Sequence, residues 1–369
     1  MEPNPNPGVP GPEPSASPVH RRRPRYTGKH PRRFEQKYKE HDPLRFTETV
    51  EKVIASGKTP AGTHRPVMTA EILEVLAPRP GDIAVDCTLG YGGHAEALLR
   101  KILPGGHLVG IDIDPIELPK TEARLRVQGF GPIAFSAHHS NYAGISRALT
   151  SAGYPGADLV IADLGVSSMQ LDNPERGFSY KGTGPLDLRM NPLRGQPASA
   201  LLARIAPAQL RELLEQNADE PRVEALATAL AGKQCLTTID LVHRIHNALP
   251  RLGKEEREFT VRRVFQALRI EVNDEFAALE HLLRSLPHCL KPGGRAAILT
   301  FHSGEDRRVK KAFEASLGVG VYDRISADVI RPGAEERREN PRSTPAKLRW
   351  ARRAASSCAS RVLPGWNSA

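Results

Sequence analysis

Five short apolar runs in this 369-residue chain each end in polar residues that could bind or transform a ligand. Ligands of open α/β sheets bind beyond the carboxyl ends of the strands, so we expect these residues to meet at one sheet edge. The polar groups are Asp86 with Gly90–His94, Asp112 with Asp114, Ser140–Tyr142, Asp163 with Ser167 and Ser168, and His302–Asp306. A carboxylate after a strand is often only the N-cap of the next helix, and each group alone is open to that explanation. Five strand ends that all become polar favour a ligand site.

The stretch Val85–His94 has the order of a strand, a glycine turn and a helix. Three glycines within four positions let the backbone approach a ligand closely, and the helix N-terminus behind them offers unpaired N–H groups. Their spacing differs from the six-residue dinucleotide fingerprint, and a plain turn explains it equally well.

Asp112 lies 22 residues beyond Gly90, near the ~20-residue interval at which an acidic side chain meets ribose hydroxyls. The pattern indicates an adenosine-type ligand and leaves NAD and S-adenosylmethionine open. The double carboxylate of Asp112 and Asp114 disfavours NADP, because it would repel the extra phosphate.

The alternation of apolar and helix-favouring segments predicts an α/β fold with a doubly wound parallel sheet. The runs interpreted as strands are Ile83–Val85, Leu108–Pro115, Pro132–Phe135, Asp158–Ala162 and Ala296–Phe301. The alternation stops after Ser168, where a polar loop and three helical segments (206–216, 222–231 and 236–249) predict an all-α insertion. An apolar stripe from Val261 to Val272 then predicts a core-facing helix that continues to about Cys289, followed by a turn at Lys291–Arg295.

The chain is therefore predicted to have four parts. They are a disordered Pro- and Arg-rich basic extension (1–60), a sheet domain in two pieces (61–168 and 261–351), an inserted helical domain (169–260) and a flexible tail (352–369). The net charge of +10 is concentrated at the ends, since residues 1–60 hold 12 basic and 7 acidic side chains and residues 331–369 hold 9 and 3. Basic ends favour a polyanionic partner such as nucleic acid, with a solvated tail as the plain alternative.

Composition narrows the class of protein further. The four cysteines are scattered without a C-x-x-C pair, which argues against a zinc site and against a secreted disulfide framework. No apolar run approaches the ~20 residues that a membrane helix needs, and the N-terminus lacks a signal-peptide segment. We expect a soluble cytoplasmic protein with no metal and no membrane partner. The oligomeric state stays open, with a homodimer among the alternatives.

Long motifs along the chain carry a resemblance to a known family. The segments, in chain order, are Asp86–His94, Asp163–Asp172, Arg176–Ser179, Gly184–Met190, Phe265–Asn273, Phe301–Arg307, Asn340–Arg342 and Ala346–Arg349. From about His64 to Arg349 the chain resembles the bacterial 16S ribosomal RNA cytosine-N4 methyltransferases of the MraW type. Three positions depart from that pattern: Tyr91 stands where a small or basic residue is common, Gly304 replaces a usual Leu, and 217–220 replaces a Tyr-Gly-Glu-Glu-like run.

The resemblance implies a Rossmann-like class I methyltransferase fold in which residues 169–260 are an inserted all-α substrate-recognition domain. It also implies S-adenosylmethionine-dependent N4-methylation of a cytidine in the decoding region of 16S rRNA, with 16S rRNA inside the small ribosomal subunit as the partner. Carried over by position, the contacts to S-adenosylmethionine fall on Gly92, Gly93, His94, Asp112, Tyr142, Asp163 and Gln170.

The chemistry of the implied reaction suggests further roles. The exocyclic amine of cytosine is a poor nucleophile because its lone pair is delocalised into the ring, so transfer needs close placement and a proton acceptor. We hypothesise that Asp163, with Ser167 or Ser168, is the acceptor set. The residues that could hold a base turned out of its stack are Asp187, Arg189, His302, Ser303 and Glu305.

Three other functions remain open at this point. The same fold could methylate a protein or a small molecule, or it could be a non-catalytic RNA-binding assembly factor. An NAD oxidoreductase is a more distant alternative, because no acid and base pair for the nicotinamide side is evident.

Overall fold

The structure, a computed structural model, describes residues 66–355, so the predictions for residues 1–60 and for most of the tail lie outside it. Its seven strands are β1 (Ile83–Asp86), β2 (His107–Asp112), β3 (Phe135–His139), β4 (Ala157–Asp163), β5 (Leu290–Thr300), β6 (Tyr322–Ile325) and β7 (Lys347–Arg353). They form one sheet in the order β3-β2-β1-β4-β5-β7-β6. The strands β1 to β5 are parallel, and β7 runs antiparallel to β5 and β6. The predicted doubly wound parallel sheet is confirmed, with an antiparallel pair at one edge.

Helices connect these strands and cover the sheet. They are α1 (Thr69–Leu76), α2 (Gly93–Ile102), α3 (Leu118–Val127), α4 (Ile145–Ser151), α5 (Ser168–Asp172), α6 (Ala198–Arg204), α7 (Pro207–Ala218), α8 (Val223–Leu230), α9 (Thr238–Ala248), α10 (Lys254–Val272), α11 (Glu275–Cys289), α12 (Ser303–Gly318) and α13 (Ala334–Glu339). Short 3-10 turns occupy Tyr142–Gly144, Pro174–Arg176 and Pro341–Ser343.

The central strand β4 shows why uninterrupted apolar runs form this sheet. Leu159 and Ile161 point into a hydrophobic cluster that includes residues of α1, α2 and α3. Val160 and Ala162 point into a second cluster on the other face, with residues of α4, α11 and α12. Because both faces are covered by helices, successive strand residues are all apolar.

Three local predictions were wrong. The third strand begins at Phe135 rather than at Pro132, because the preceding residues form a turn in which Ile133 is exposed. The helix predicted to run from Val261 to Cys289 is two helices, α10 and α11, separated at Asp274 by a left-handed backbone conformation (φ 51°). The segment predicted as a turn before the fifth strand lies within β5, where the pairing with β4 is irregular.

A third hydrophobic cluster lies outside the sheet, and α10 passes through it. Its members come from α6 to α9 and the loop before them, and they surround Val261, Val264 and Leu268. The apolar stripe of α10 therefore faces this helical cluster and not the sheet, and the boundary predicted between residues 260 and 261 falls inside the helix. The sheet also continues past the predicted limit at residue 351, since β7 ends at Arg353.

Candidate functional site

The turn between β1 and α2 is held in place by hydrogen bonds to the neighbouring elements. Gly90 adopts a left-handed conformation (φ 48°), and its N–H donates to Asp112 Oδ2 over 2.6 Å. Its carbonyl oxygen accepts from Thr121 Oγ1, also over 2.6 Å. The turn is thus fixed against the end of β2 on one side and against α3 on the other.

The next two glycines are required by close packing of the protein on itself. Gly92 has a φ of 77°, and a Cβ there would lie 3.0 Å from Thr121 Cγ2. A Cβ on Gly93 would lie 2.3 Å from Pro66 Cγ, closer than any real contact. The sequence predicted glycines for close approach of a ligand, and the structure adds the close approach of Pro66 and α3.

Tyr91, the departure within this turn, has a packing partner. Its ring lies under the guanidinium of Arg124 on α3, with 3.5 Å between Arg124 Cζ and the ring centroid. A cation stacked on an aromatic face is stabilising, which accounts for a tyrosine at this position.

The carboxylate of Asp112 stands at the carboxyl end of β2. Its Oδ2 accepts the N–H of Gly90 and its Oδ1 accepts the N–H of Asp114 over 2.8 Å, which fixes its orientation beside the turn. Burial raises the pKa of Asp112 to about 6, and the two backbone N–H groups oppose that rise only in part.

Asp114 does not share this environment. It is 1% exposed, and its Oδ2 accepts from Arg176 Nη1 over 2.7 Å and from Gln170 Nε2 over 2.9 Å. Asp114 is therefore ion-paired with Arg176 inside the protein, whereas Asp112 lies beside the glycine turn; that the two carboxylates disfavour NADP stays a prediction.

Asp163, at the end of β4, faces the first turn of α2. Its Oδ2 lies 3.4 Å from His94 Nε2, and its backbone N–H donates to Thr88 Oγ1 over 2.7 Å. Asp163 Oδ1 is buried and has no hydrogen-bond partner within residues 66–355, although 27% of the side chain is exposed. Asp86, at the end of β1, is buried nearby, and burial raises its pKa to about 6.

Ser167 and Gln170 form the N-terminal cap of α5. Ser167 Oγ accepts from the N–H of Gln170, and Gln170 Oε1 accepts from the N–H of Ser167. With its amide nitrogen on Asp114, the Gln170 side chain is fully engaged. Ser168 is the first residue of the helix and is partly buried.

Tyr142 begins the 3-10 turn after β3. Its hydroxyl donates to the carbonyl oxygen of Glu275 over 3.2 Å, and its ring packs against the sheet core. Burial raises the pKa of Tyr142, so the hydroxyl stays neutral. Glu275 in turn forms a two-bond ion pair with Arg269, a residue pair that the sequence did not single out.

His302 and Glu305 stand at the end of β5, where α12 begins. His302 Nε2 lies 3.2 Å from Glu305 Oε1, and Glu305 Oε2 accepts the N–H of Phe301. Although burial opposes it, His302 and Arg269 lower the pKa of Glu305. Ser303 points elsewhere, since its hydroxyl donates to Asp219 on the far end of α7.

Asp187 and Arg189 bind each other. Two hydrogen bonds of 2.7 Å join their side chains, and burial is partial for both. Arg176 Nη2 donates to the carbonyl oxygens of Arg189 and Met190, and Asn273 accepts the N–H of Met190.

The structure therefore brings the predicted residues into three connected groups. Gly90 adjoins Asp112, and His94 adjoins Asp163. Asp114 binds Asp112, Gln170 and Arg176, and Arg176 links them to the loop of Asp187 and Arg189. Tyr142, His302 and Glu305 gather around the buried Arg269. The residues that sequence reasoning missed are Thr121, Arg124, Arg176, Arg269 and Glu275; only Arg176 and Arg269 fall within motifs that the sequence displayed.

The residues at the ends of β1, β2 and β4 fit S-adenosylmethionine. Asp112 can accept ribose hydroxyls, and Asp163 offers a buried carboxylate oxygen that has no hydrogen-bond partner among residues 66–355. Within the described part of the chain, no cluster of three His, Cys, Asp or Glu side chains could hold a metal ion. No helix of residues 66–355 is long and apolar enough to span a bilayer.

The strand order, the antiparallel β7 and the glycine turn facing an acidic residue at the end of β2 define an α/β methyltransferase that uses S-adenosylmethionine.

Comparison with known proteins gives the family. Residues 61–354 match the MraW methylase family, and the chain belongs to it. The chain is 46% identical over 349 residues to the ribosomal RNA small subunit methyltransferase H 1 of Lachnoclostridium phytofermentans, with 92% of this chain and 95% of that protein covered. It is 47% identical over 344 residues to the protein of the same description from Agathobacter rectalis, with 91% and 98% covered.

Proposed function

We propose that this protein methylates N4 of a cytidine in the decoding region of 16S rRNA, with the small ribosomal subunit as its partner in the cytoplasm. The observation that carries the proposal is Asp163, a carboxylate beside the glycine turn with a buried oxygen that has no partner within residues 66–355. The relatives described above are named as methyltransferases of small-subunit ribosomal RNA, which supports the class of substrate.

The cofactor is held by residues from four strand ends in this proposal. They are Gly92, Gly93, His94, Asp112, Tyr142, Asp163 and Gln170. Gln170 and Tyr142 act mainly by shaping the walls, because their side-chain polar atoms already bind Asp114, Ser167 and Glu275. When bound, S-adenosylmethionine supplies an electrophilic methyl group on a positively charged sulfur.

Asp163 acts on the target amine. As the new carbon–nitrogen bond forms, the methyl group's bond to sulfur would break and its electron pair would stay with the sulfur. The nitrogen becomes positively charged and loses a proton, which the Asp163 carboxylate accepts. Ser167 or Ser168 completes the acceptor set with Asp163; Ser167 also caps α5, and Ser168 is the first residue of that helix.

The RNA side of the site is assigned to Asp187, Arg189, His302, Ser303 and Glu305, with residues 169–260 as the recognition domain. Asp187 and Arg189 present a neutral, rigid pair, which suits hydrogen bonding to a flipped base better than phosphate binding. His302, at the end of β5, is paired with Glu305, and its Nδ1 is buried with no hydrogen-bond partner within the described chain.

The deciding experiment is nucleoside mass spectrometry of small-subunit rRNA from cells with and without the gene. We expect N4-methylcytidine to disappear with the gene and to return with a plasmid copy, but not with an Asp163→Ala copy. If N4-methylcytidine is unchanged in the deletion strain, the proposal is wrong. Transfer of labelled methyl from S-adenosylmethionine into protein rather than RNA would favour the alternative substrate class.

A further inference from the structure

His94 occupies an unusual position in the first turn of α2. It is 6% exposed, and its Nε2 lies 3.4 Å from Asp163 Oδ2, an ion-pair distance. Neither ring nitrogen has a good hydrogen bond to another described residue, and Asp163 Oδ1 is equally unpaired. A buried imidazole without hydrogen bonds costs stability, so its placement 3.4 Å from a carboxylate calls for a role in the site.

The ionisable groups that act most strongly on His94 within the described chain are acidic. Asp163 faces it from β4, Asp86 from β1 and Glu336 from α13. Burial alone would disfavour the imidazolium, but these three carboxylates outweigh it and raise the pKa of His94. Asp86 is itself oriented, because its Oδ1 accepts the N–H of Thr88 over 3.1 Å.

We propose that His94, as an imidazolium between Asp86 and Asp163, is the positioning residue that keeps Asp163 ionised and oriented until Asp163 accepts the proton of the target amine. The inference rests on the proposed function, since it assigns the charge state of the acceptor in that reaction. His94 touches Asp163 and not the reacting atoms.

The proton transfers in this step balance without any further reactant. The amine nitrogen gives its proton to the Asp163 carboxylate, which becomes a neutral carboxylic acid, and His94 keeps its own proton throughout. The partly exposed side of Asp163 then lets the proton pass to water, which restores the ion pair with His94.

The matched experiment compares two buried histidines of equal exposure. His94→Gln removes the cation next to Asp163. The control, His107→Gln, changes a 6%-exposed histidine at the start of β2, at the end of that strand away from Asp112; its ring nitrogens contact Ile133 and Ser136. Methyl transfer to small ribosomal subunits is measured from pH 5.5 to 9.5 at saturating S-adenosylmethionine.

Without the imidazolium, Asp163 takes up a proton more readily. We expect His94→Gln to move the midpoint of the acid limb of kcat upward by about one pH unit, with a loss that approaches about tenfold on the acid limb and disappears at high pH. The profile of His107→Gln should keep the wild-type midpoint. A uniform loss at every pH in His94→Gln, with no shift, would mean that His94 is merely structural.

A second readout needs neither turnover nor a variant that folds poorly. In the cofactor-free wild-type protein labelled with ¹⁵N-histidine, we expect the ring nitrogens of His94 to report an imidazolium at pH 7, and Asp163→Asn to lower the pH at which it deprotonates. A neutral His94 ring at pH 7 would overturn the inference. If the wild-type protein transfers no methyl group to small subunits, the proposed function fails, and the nitrogen shifts still decide the state of His94.

Discussion

Two polar regions of this protein differ in how completely their charged groups are paired. At the cofactor edge, formed by Asp86, His94, Asp112 and Asp163, buried atoms of His94 and Asp163 have no hydrogen-bond partner within residues 66–355. In the arginine loop, residues 176–190, Arg176 binds Asp114 and two carbonyl oxygens, and Asp187 binds Arg189.

The difference separates two uses of buried charge. An unpaired buried polar atom costs free energy, so it persists where a ligand or a reaction uses it. A fully paired group contributes to the shape of the loop that carries it. Substitutions at the cofactor edge should therefore affect binding and turnover most, and substitutions in the arginine loop should affect folding most.

The largest expected effect is on turnover in Asp163→Asn. The amide keeps the shape but cannot accept the proton, so kcat should fall by about 10²- to 10⁴-fold, with little change in Tm. The control is Asp158→Asn at the other end of β4, which loses an ion pair with Lys291 and should keep its kcat. Full turnover of Asp163→Asn at saturating cofactor would contradict the role of Asp163.

Arg176→Ala, in contrast, is expected to reduce stability more than turnover. The change leaves the 1%-exposed Asp114 without its cation, and breaking a buried pair costs about 3 kcal/mol or more of unfolding free energy. Urea denaturation followed by circular dichroism measures the loss. Arg100→Ala, which removes an exposed pair with Glu96, should change stability by less than about 0.5 kcal/mol. Equal losses in the two variants would remove the distinction between the regions.

The sheet could be predicted because parallel strands that are covered on both faces have uninterrupted apolar sequences. Leu159–Ala162 is one such run. The break at Asp274 was missed because one left-handed residue interrupts a helix without disturbing the apolar pattern on either side. The direction of the α10 stripe was missed for a related reason: periodicity shows that one side of Val261–Leu268 is buried, but not which cluster buries it.

The candidate site divides in the same way. The position of Asp112 and Asp163 at strand ends could be predicted from the sequence, and the structure confirms that position. The ion pair between Asp114 and Arg176 joins residues 62 positions apart and depends on the tertiary fold, so no local sequence pattern predicts it. The stack of Arg124 on Tyr91 was also invisible in the sequence, where Tyr91 was only an unexplained departure.

A smaller effect, on cofactor affinity, is expected at Asp112. In the proposed function, ribose hydroxyls donate to the ionised carboxylate of Asp112. Burial raises the pKa of Asp112 to about 6, so affinity for S-adenosylmethionine should weaken as the pH falls through about 6. Asp112→Asn should bind about tenfold or more weakly at pH 8, equivalent to about 1.4 kcal/mol, and should lose this pH dependence. Calorimetry at pH 5 and pH 8 tests both statements, and equal wild-type affinity at the two values would exclude Asp112 as the titrating contact.

The smallest effect on cofactor affinity is expected at Tyr91. This residue lies in the glycine turn beside the cofactor edge, but its ring is stacked on Arg124, just as the side chains of the arginine loop are paired with one another. Tyr91→Ala removes the ring below Arg124, a contact of about 0.5–1 kcal/mol, while Tyr91→Phe keeps it. If the stacking contact with Arg124 makes Tyr91 a structural residue, Tyr91→Ala should lower Tm by a few degrees, with at most about a twofold change in cofactor affinity. A loss of affinity in both variants with unchanged Tm would instead show that the phenol hydroxyl serves the ligand, and position along the turn would then predict function better than pairing does.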